Sequence, residues 1–339
     1  MKIQLQSLRV INCGPLRDVC IHFATDADSP VTVLAGANGS GKTTVLELII
    51  ALSDLLNPQH DSASSVSRNE NYVLNRAEYA QMDWLLDDEE FSIFCGKRPA
   101  DFQFPLNYYG RDSFKRRYLQ SEKTNKEYIK GQMVTEIKAR IEQQGKTILN
   151  FADSERQAML LPSILYFPHS RFLLPLQGKH VQREEINYCW TYSYQTAQSF
   201  EGSLDSYLIW LDYAEPETFS QVAEFLSQYL DGKKISILRK DLKAVITTGD
   251  GGTHYLENLS SGEQNILIML LELRRRLLPH SIVLIDEIEN SLHQAFQKKL
   301  AQALKRMQEQ VPFQLIVTTH SIPIVETFGS ASTRILTEF

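Results

Sequence analysis

Hydrophobic and polar positions along this chain change period several times, and each change marks an element. Lys2–Ile11 and Arg17–Phe23 alternate like amphipathic strands around a turn at Asn12-Cys13-Gly14-Pro15. Val31–Ala35 has the pattern of a buried strand, and Thr43–Leu56 then takes helical spacing, with Val45, Leu46, Ile49, Ile50 and Leu52 apolar. Asn57–Asn71 is polar and reads as a loop. Beyond it the pattern weakens, leaving short strand signals at Phe91–Phe94, Phe102–Tyr109 and Ser163–Phe167. Tyr188, Trp190, Tyr192 and Tyr194 alternate strictly, which places four aromatics on one face of a strand, either against the core or as a partner surface.

Helical spacing returns over Leu204–Leu230, broken before Pro216. Ile235–Leu238 and Ala244–Thr248 read as a hairpin, and Gly249-Asp250-Gly251-Gly252 as the turn into another strand. The C-terminal part then runs helix (Asn265–Leu277), strand (Ile282–Asp286), helix, strand (Phe313–Thr318). A chain of 339 residues holds about two domains or one large domain with an insertion. The patterning divides it into residues 1–52, an insertion at 53–201, and 202–339. No heptad pattern lasts three repeats, so long coiled-coil arms are not expected.

Composition narrows the class. No apolar run approaches the ~20 residues of a membrane span, and the first residues alternate instead of forming a signal peptide's apolar stretch. A cytoplasmic protein with no membrane partner is the expectation. Cys13, Cys20, Cys95 and Cys189 form no C-x-x-C pair and read as buried reduced thiols. The net charge of −6 argues against a surface coated for nucleic acid. Even so, Arg111–Lys146 carries ten Lys or Arg against five Asp or Glu. Phe114, Tyr118 and Tyr128 are interleaved there, as on a surface that tracks DNA phosphates. A solvated helical face with Glu122/Lys126 and Glu136/Arg140 pairs explains the same charges.

Gly36-Ala37-Asn38-Gly39-Ser40-Gly41-Lys42-Thr43 matches G-x-x-x-x-G-K-[ST] between a strand and a helix, the context a phosphate loop requires. Its backbone N–H groups and helix N-terminus suit an anion, Lys42 the β- and γ-phosphates, and the Thr43 hydroxyl Mg²⁺. Asn38, Gly39, Ser40, Gly41 and Thr44 complete the expected nucleotide contacts. Ile282–Ile285 is apolar enough for a strand buried on both faces, and Asp286-Glu287 sits at its end. Asp286 is expected to hold Mg²⁺ through water and Glu287 to deprotonate the attacking water. His320 also follows a buried strand and suits either a structural role or a γ-phosphate sensor. Ser260-Ser261-Gly262-Glu263-Gln264 precedes a helix and could bind an anion there or simply cap it.

In this order the set Walker A, L-S-S-G-E-Q, D-E-I-E-N-S-L-H and T-T-H-S resembles the ABC-type ATPase superfamily. The opening "LRVINCGPLRDVCIHF" looks like its non-transporter branch of SMC, RecF, double-strand-break repair and OLD-like ATPases. The resemblance covers about Met1–Leu56 and Glu257–Phe339. It implies an α/β P-loop NTPase head with an N-terminal antiparallel β lobe and an inserted, mostly helical subdomain. It also implies a homodimer sandwiching two ATP molecules. In that dimer Ser260, Ser261, Gly262 and Glu263 face the opposite nucleotide, Glu287 is the base and His320 the switch histidine. Asn290-Ser291-Leu292 would link the two sites. Ser261 and Glu263 depart from the transporter signature L-S-G-G-Q and favour the SMC-like branch, as does the lack of D-E-P-T. Gln103, Gln177 and Gln182 are candidates for the glutamine loop. Tyr166–Arg171 resembles a stretch of OLD-like ATPases, with Arg171 either near phosphate or on the surface. Expected tasks are DNA maintenance or the sensor of an anti-phage defence complex. With 19 residues after His320, a nuclease or toxin effector is expected as a separate chain. A scaffold with little turnover and a transporter motor are the rivals.

Overall fold

Two six-stranded sheets enclose the helix that follows the glycine loop. The computed structural model describes residues 1–25, 30–57, 73–112, 126–144, 148–149, 160–171, 173, 186–194 and 204–336. The first sheet has the order β2-β1-β4-β5-β6-β7. Its strands are β1 (Ile3–Cys13), β2 (Leu16–His22), β4 (Tyr79–Leu86), β5 (Glu89–Gly96), β6 (Tyr108–Arg111) and β7 (Glu127–Lys130). All pairs are antiparallel except β5 with β6. In β1 the buried apolar positions change phase, from Ile3 and Leu5 to Leu8 and Val10. A bulge between Leu5 and Ser7 absorbs the extra residue, so all four reach one core.

The second sheet is wholly parallel, in the order β11-β9-β15-β16-β3-β17. It contains β3 (Val31–Gly36), β9 (Ile164–Phe167), β11 (Thr191–Ser193), β15 (Ile282–Ile285), β16 (Gln314–Thr319) and β17 (Thr333–Leu336). Every residue of β9, β15 and β16 is buried, as expected for strands covered on both faces. Helix α1 (Lys42–Asp54) lies between the sheets and is apolar nearly all round for that reason. The opposite face carries α3 (Leu204–Ala214), α4 (Pro216–Ser227), α5 (Ser261–Arg276) and α6 (Gln294–Gln310), which form a second core with Val283, Ile285, Leu315 and Val317. The three-stranded ribbon β12 (Lys234–Leu238), β13 (Lys243–Thr247) and β14 (Thr253–Tyr255) leads into α5.

One side chain ties the sheets together. Gln314 donates to the carbonyls of Leu5 and Ala24 at 2.9 and 3.0 Å and accepts from the Leu5 N–H at 2.8 Å. A buried amide thus satisfies backbone groups that the lobe's own ladder does not.

The α/β fold and the antiparallel lobe are as expected, but the helical insertion is not. Over its described residues, 53–201 supplies β4 to β7 of the lobe, β9 and β11 of the parallel sheet, and the short pair β8 (Ile148–Leu149) with β10 (Ile186–Asn187). Its one long helix there is α2 (Gln132–Gln144). The physical reason lies in β4, where alternate positions are buried, and in β9, where all are. Phe102–Tyr109 is not one strand either. Phe102 and Phe104 pack edge-on around Phe94 and each other, with centroids 4.9 Å apart for Phe94–Phe102 and Phe102–Phe104, and pairing begins only at Tyr108. The aromatic alternation at Tyr188–Tyr194 does not make one face. Trp190 stacks on Trp84 at 6.0 Å and donates to Ser53 O at 2.9 Å, whereas Tyr192 and Tyr194 pack on the second core. Of the four cysteines, Cys13 and Cys95 are buried, Cys189 is half-buried and Cys20 is exposed.

Candidate nucleotide-binding site

Because the second sheet is all parallel, the segments after β3, β9, β15 and β16 emerge at one edge. That edge is where open α/β sheets bind ligands. Strand β16 lies between the glycine-loop strand and the acid-pair strand, with Thr319 level with Ala35 and Val317 level with Ile285. Gly36, His169, Asp286 and His320 therefore converge although up to 284 positions separate them.

The loop turns into α1 at Gly41, whose φ of 93° is left-handed. A Cβ there would meet Leu16 Cδ2 at 2.8 Å, so only glycine lets the loop lie on the lobe. Asn38 and Gly39 are exposed at the crest, and Thr44 is half-buried behind it. Lys42 is buried, and its Nζ donates to the carbonyls of Gly36 and Ala37 at 3.0 and 2.7 Å. Burial lowers its pKa, against the pull of the Asp286, Glu287 and Glu289 carboxylates. Thr43 Oγ1 lies 3.0 Å from each carboxylate oxygen of Asp286, a contact across 243 residues.

Asp286 is fully buried, and Thr318 Oγ1 donates to its Oδ1 at 2.7 Å while accepting the Glu287 N–H at 2.7 Å. Glu287 sits at φ 42°, a conformation that costs a non-glycine residue of order 1–3 kcal/mol unless its surroundings impose it. Here they do. Beyond Thr318, the Glu287 carbonyl accepts from Arg171 at 3.0 Å and from the Asn290 N–H at 2.9 Å.

Arg171 is neither near-surface nor aimed as a free phosphate contact. It is 7% exposed, and its NH1 donates to the carbonyls of Pro168 and Asp286 at 2.7 Å each and to Phe167 at 3.3 Å. Burial brings the guanidinium down to about 10, against the attraction of Asp286. Its work is to fasten the end of β9 to the end of β15. His169, to which no role was assigned from sequence, faces the same carboxylate, with Nδ1 3.4 Å from Asp286 Oδ2. The signal was a histidine just past a fully buried strand. His320 is exposed, and the Glu289 carboxylate accepts both its N–H and, at 2.7 Å, the Thr319 hydroxyl.

The signature segment forms the N-terminus of α5. Ser260 caps the helix in a reciprocal box: its Oγ accepts the Glu263 N–H at 3.4 Å and donates to Glu263 Oε2 at 2.8 Å, while its own N–H donates to the same oxygen at 3.1 Å. Lys233 pairs with the other oxygen of Glu263. Against the desolvation of burial, Lys233 and Ser260 together hold this carboxyl below its ordinary pKa. Glu263 is buried 93%, so its side chain orders Ser260 and does not itself face outward as expected. Ser260 and Ser261 are exposed. A Cβ on Gly262 would meet Ser291 O at 2.7 Å, and Asn265 donates to Asn290 O at 2.9 Å, so the signature helix abuts the Asn290-Ser291-Leu292 loop of the same chain.

The edge fits a magnesium nucleotide on three observations. Ser40 Oγ is buried with no partner among the described residues, as a phosphate-facing hydroxyl would be. Space within 4 Å of a Cβ on Gly39 is open at the loop crest. Thr43 and Asp286 offer hard oxygen donors side by side. Other expectations fare less well. Gln103 is exposed between Phe102 and Phe104, which pack around Phe94 of the lobe, and Gln177 and Gln182 lie outside the described residues. In the basic segment, Arg111 is buried and bonded to Glu127 at 2.8 Å, and Tyr128 donates to Asp112. Lys126, Lys130 and Arg140 are exposed, while Lys115, Arg116, Arg117, Lys123 and Lys146 lie outside the described residues. No helix among the described residues is long and apolar enough to cross a membrane.

Residues 223–326 match the profile of a family described as "AAA domain, putative AbiEii toxin, Type IV TA system". Among solved structures the chain is similar to the SMC head domain from Thermotoga maritima, at 16% identity over 96% of this chain and 92% of that one, with a TM-score of 0.45. It is similar also to the Smc head domain with an extended coiled coil bound to the C-terminal domain of ScpA derived from Pyrococcus furiosus, at 13% identity over 96% and 92%, TM-score 0.46. A dimeric bacterial ABC transporter cassette is similar at 14% identity over 99% and 94%, TM-score 0.37. No curated protein matches the sequence. The matched stretch contains the signature, the acid pair and His320.

Proposed function

We propose that this chain is a Mg²⁺-dependent ATP hydrolase that closes head to tail with a second copy around two ATP molecules. The observation that carries the reading is the meeting of Thr43 with Asp286, across two distant motifs, directly beneath a glycine loop and beside Glu287. Thr43 and Asp286 would hold Mg²⁺, Asp286 through water, and the ion would supply positive charge to the β- and γ-phosphates. Lys42 supplies a desolvated positive charge at the loop, where each unit of charge counts for more than in water. Asn38, Gly39, Ser40, Gly41 and Thr44 wrap the phosphates with backbone and hydroxyl donors. Glu287 takes the proton of the attacking water. Its backbone is fixed by Thr318, Arg171 and Asn290, which sets where its side chain leaves the strand end. His320 reads the γ-phosphate from the neighbouring strand end.

The second half of each site comes from the partner copy. Ser260 and Ser261 are exposed at a helix N-terminus, and Glu263 keeps the Ser260 hydroxyl in place. That arrangement suits the γ-phosphate of a nucleotide bound by another chain. Glu287→Gln tests the reading. Turnover should fall roughly 10²–10⁴-fold while ATP binding persists, and size-exclusion chromatography with light scattering should show an ATP-dependent dimer. A variant that hydrolyses at the parent rate contradicts the assignment.

A further inference from the structure

We propose that the outer face of the antiparallel lobe docks an extended segment of a partner protein, one that carries an arginine or lysine beside an apolar residue. This surface is separate from the nucleotide edge of the parallel sheet and does not depend on it. A groove of about 620 Å³ crosses the face, within the roughly 300–1,000 Å³ usual for ligand sites. Its floor is a row of cross-strand neighbours. The strand registers set His22, Ser7, Asp83 and Ser92 side by side on β2, β1, β4 and β5, and all four line the groove. Met82 and Trp84 flank Asp83 in sequence, and Phe91 and Ile93 flank Ser92; all four belong to the core between the sheets, so the row points the other way. The two serines, being small, leave a trough across the middle of that face.

The polarity of the row selects a cation. Ser7 Oγ and Ser92 Oγ donate to Asp83 at 2.6 and 2.8 Å, and Gln81 Nε2 donates to it at 2.8 Å. A hydroxyl has one proton, so both serines, with theirs directed at Asp83, offer the groove only lone pairs. Asp83 is half-buried and Glu90 is exposed, and no lysine or arginine is among the described residues that line the groove. Arg9, two positions along β1 on the same face, is already paired with Asp18 at 3.2 Å and Asp101 at 2.9 Å. A guanidinium or ammonium entering here meets acceptors and negative charge; an anionic group is repelled by the same atoms. The rim adds an apolar contact. Pro105 lines the groove, and its neighbours Phe104 and Leu106 are 52% and 76% exposed. A peptide brings a cation and an apolar anchor on one chain and so uses both features, whereas a free polyamine brings charge alone.

The test is isothermal titration calorimetry of the full chain with three probes. One is a capped hexapeptide alternating arginine and leucine; the second replaces each arginine by citrulline, its neutral isostere; the third is spermidine. The arginine peptide is expected to bind, and the citrulline peptide to bind roughly tenfold or more weakly, because a hydrogen bond to a charged group is lost. Asp83→Asn should weaken the arginine peptide to a similar degree, and the exposed Glu90→Gln by about two- to fivefold. Leu106→Ser should weaken it as well. Glu90 and Leu106 are exposed, so those two variants keep the test decisive if Asp83→Asn does not fold. Equal binding of the arginine and citrulline peptides overturns the proposal, as does parent-like affinity in both Glu90→Gln and Leu106→Ser. Spermidine binding as tightly as the arginine peptide overturns it in favour of a small-cation site, and no binding of any probe overturns it outright.

Discussion

The strand edge that carries Asp286 and the helix end that carries Ser260 are built in opposite ways. At the strand edge the acid pair is fixed chiefly by residues distant in sequence: Asp286 by Thr43 and Thr318, Glu287 by Thr318 and Arg171. At the helix end Ser260 and Glu263 fix each other across three residues, with Lys233 pairing from just before β12. The first arrangement cannot exist unless the whole fold is correct, and it encloses its chemistry. The second is an ordinary cap that forms locally and leaves its hydroxyls in solvent. One half of the proposed site is therefore complete within a chain, and the other has meaning only against a second surface.

Substitutions at the two places should separate accordingly. Thr318→Val keeps the shape of the strand but removes the acceptor for Glu287 N–H and a donor to Asp286. The expected cost is about 2–4 kcal/mol in denaturant unfolding, with turnover falling alongside. A variant as stable as the parent would show that the edge is less tightly determined than described.

A second contrast is between two buried carboxylates. Asp286 is surrounded by donors, whereas Asp205, beside the signature ribbon, accepts from the Ala244 N–H at 3.0 Å, and burial pushes its pKa up to about 6. In the unfolded chain its pKa is near 3.9. The folded chain binds this proton more tightly, so the group's contribution is greatest below about pH 4, declines between about 4 and 6, and is constant above. Asp205→Asn, which keeps an acceptor for Ala244, should lessen that decline and gain about 1–3 kcal/mol relative to the parent at pH 7. An identical pH dependence in both chains would contradict the assignment.

The smallest stability effect is expected at the signature. Ser260→Ala should cost about 1 kcal/mol through the lost cap, yet turnover should fall by more than the unfolded fraction explains. Turnover that tracks stability alone would reduce Ser260 to a cap.

What could be read from the chain in advance follows the same division. Contiguous motifs were legible because the loop, the acid pair and the signature each carry their chemistry within a few residues of an apolar run. The α/β class followed from Val31–Ala35, Ile282–Ile285 and Phe313–Thr318. What escaped depended on long-range contact. Arg171 serves carbonyls 115 and 116 positions away, and Gln314 serves one 309 positions away. Nothing near either residue in sequence marks those partners. The Tyr188–Tyr194 alternation misled because the chain bends at Trp190, where the indole finds Trp84 and the Ser53 carbonyl near the end of α1. The helical insertion came with the resemblance: Phe91–Phe94 and Ser163–Phe167 did carry strand signals and lie in β5 and β9, whereas a strand as short as β7 leaves none in a weak pattern.

The most direct measurement of the central claim, that one copy's signature completes the other's site, is complementation. Lys42→Ala removes the loop lysine from one chain and Ser260→Arg blocks the signature of another; each alone should be inactive. Mixed one to one, half the dimers pair the two variants and each of those holds one intact composite site, so ATP turnover should return to about a quarter of the parent rate. A mixture as inactive as its components would contradict the shared site.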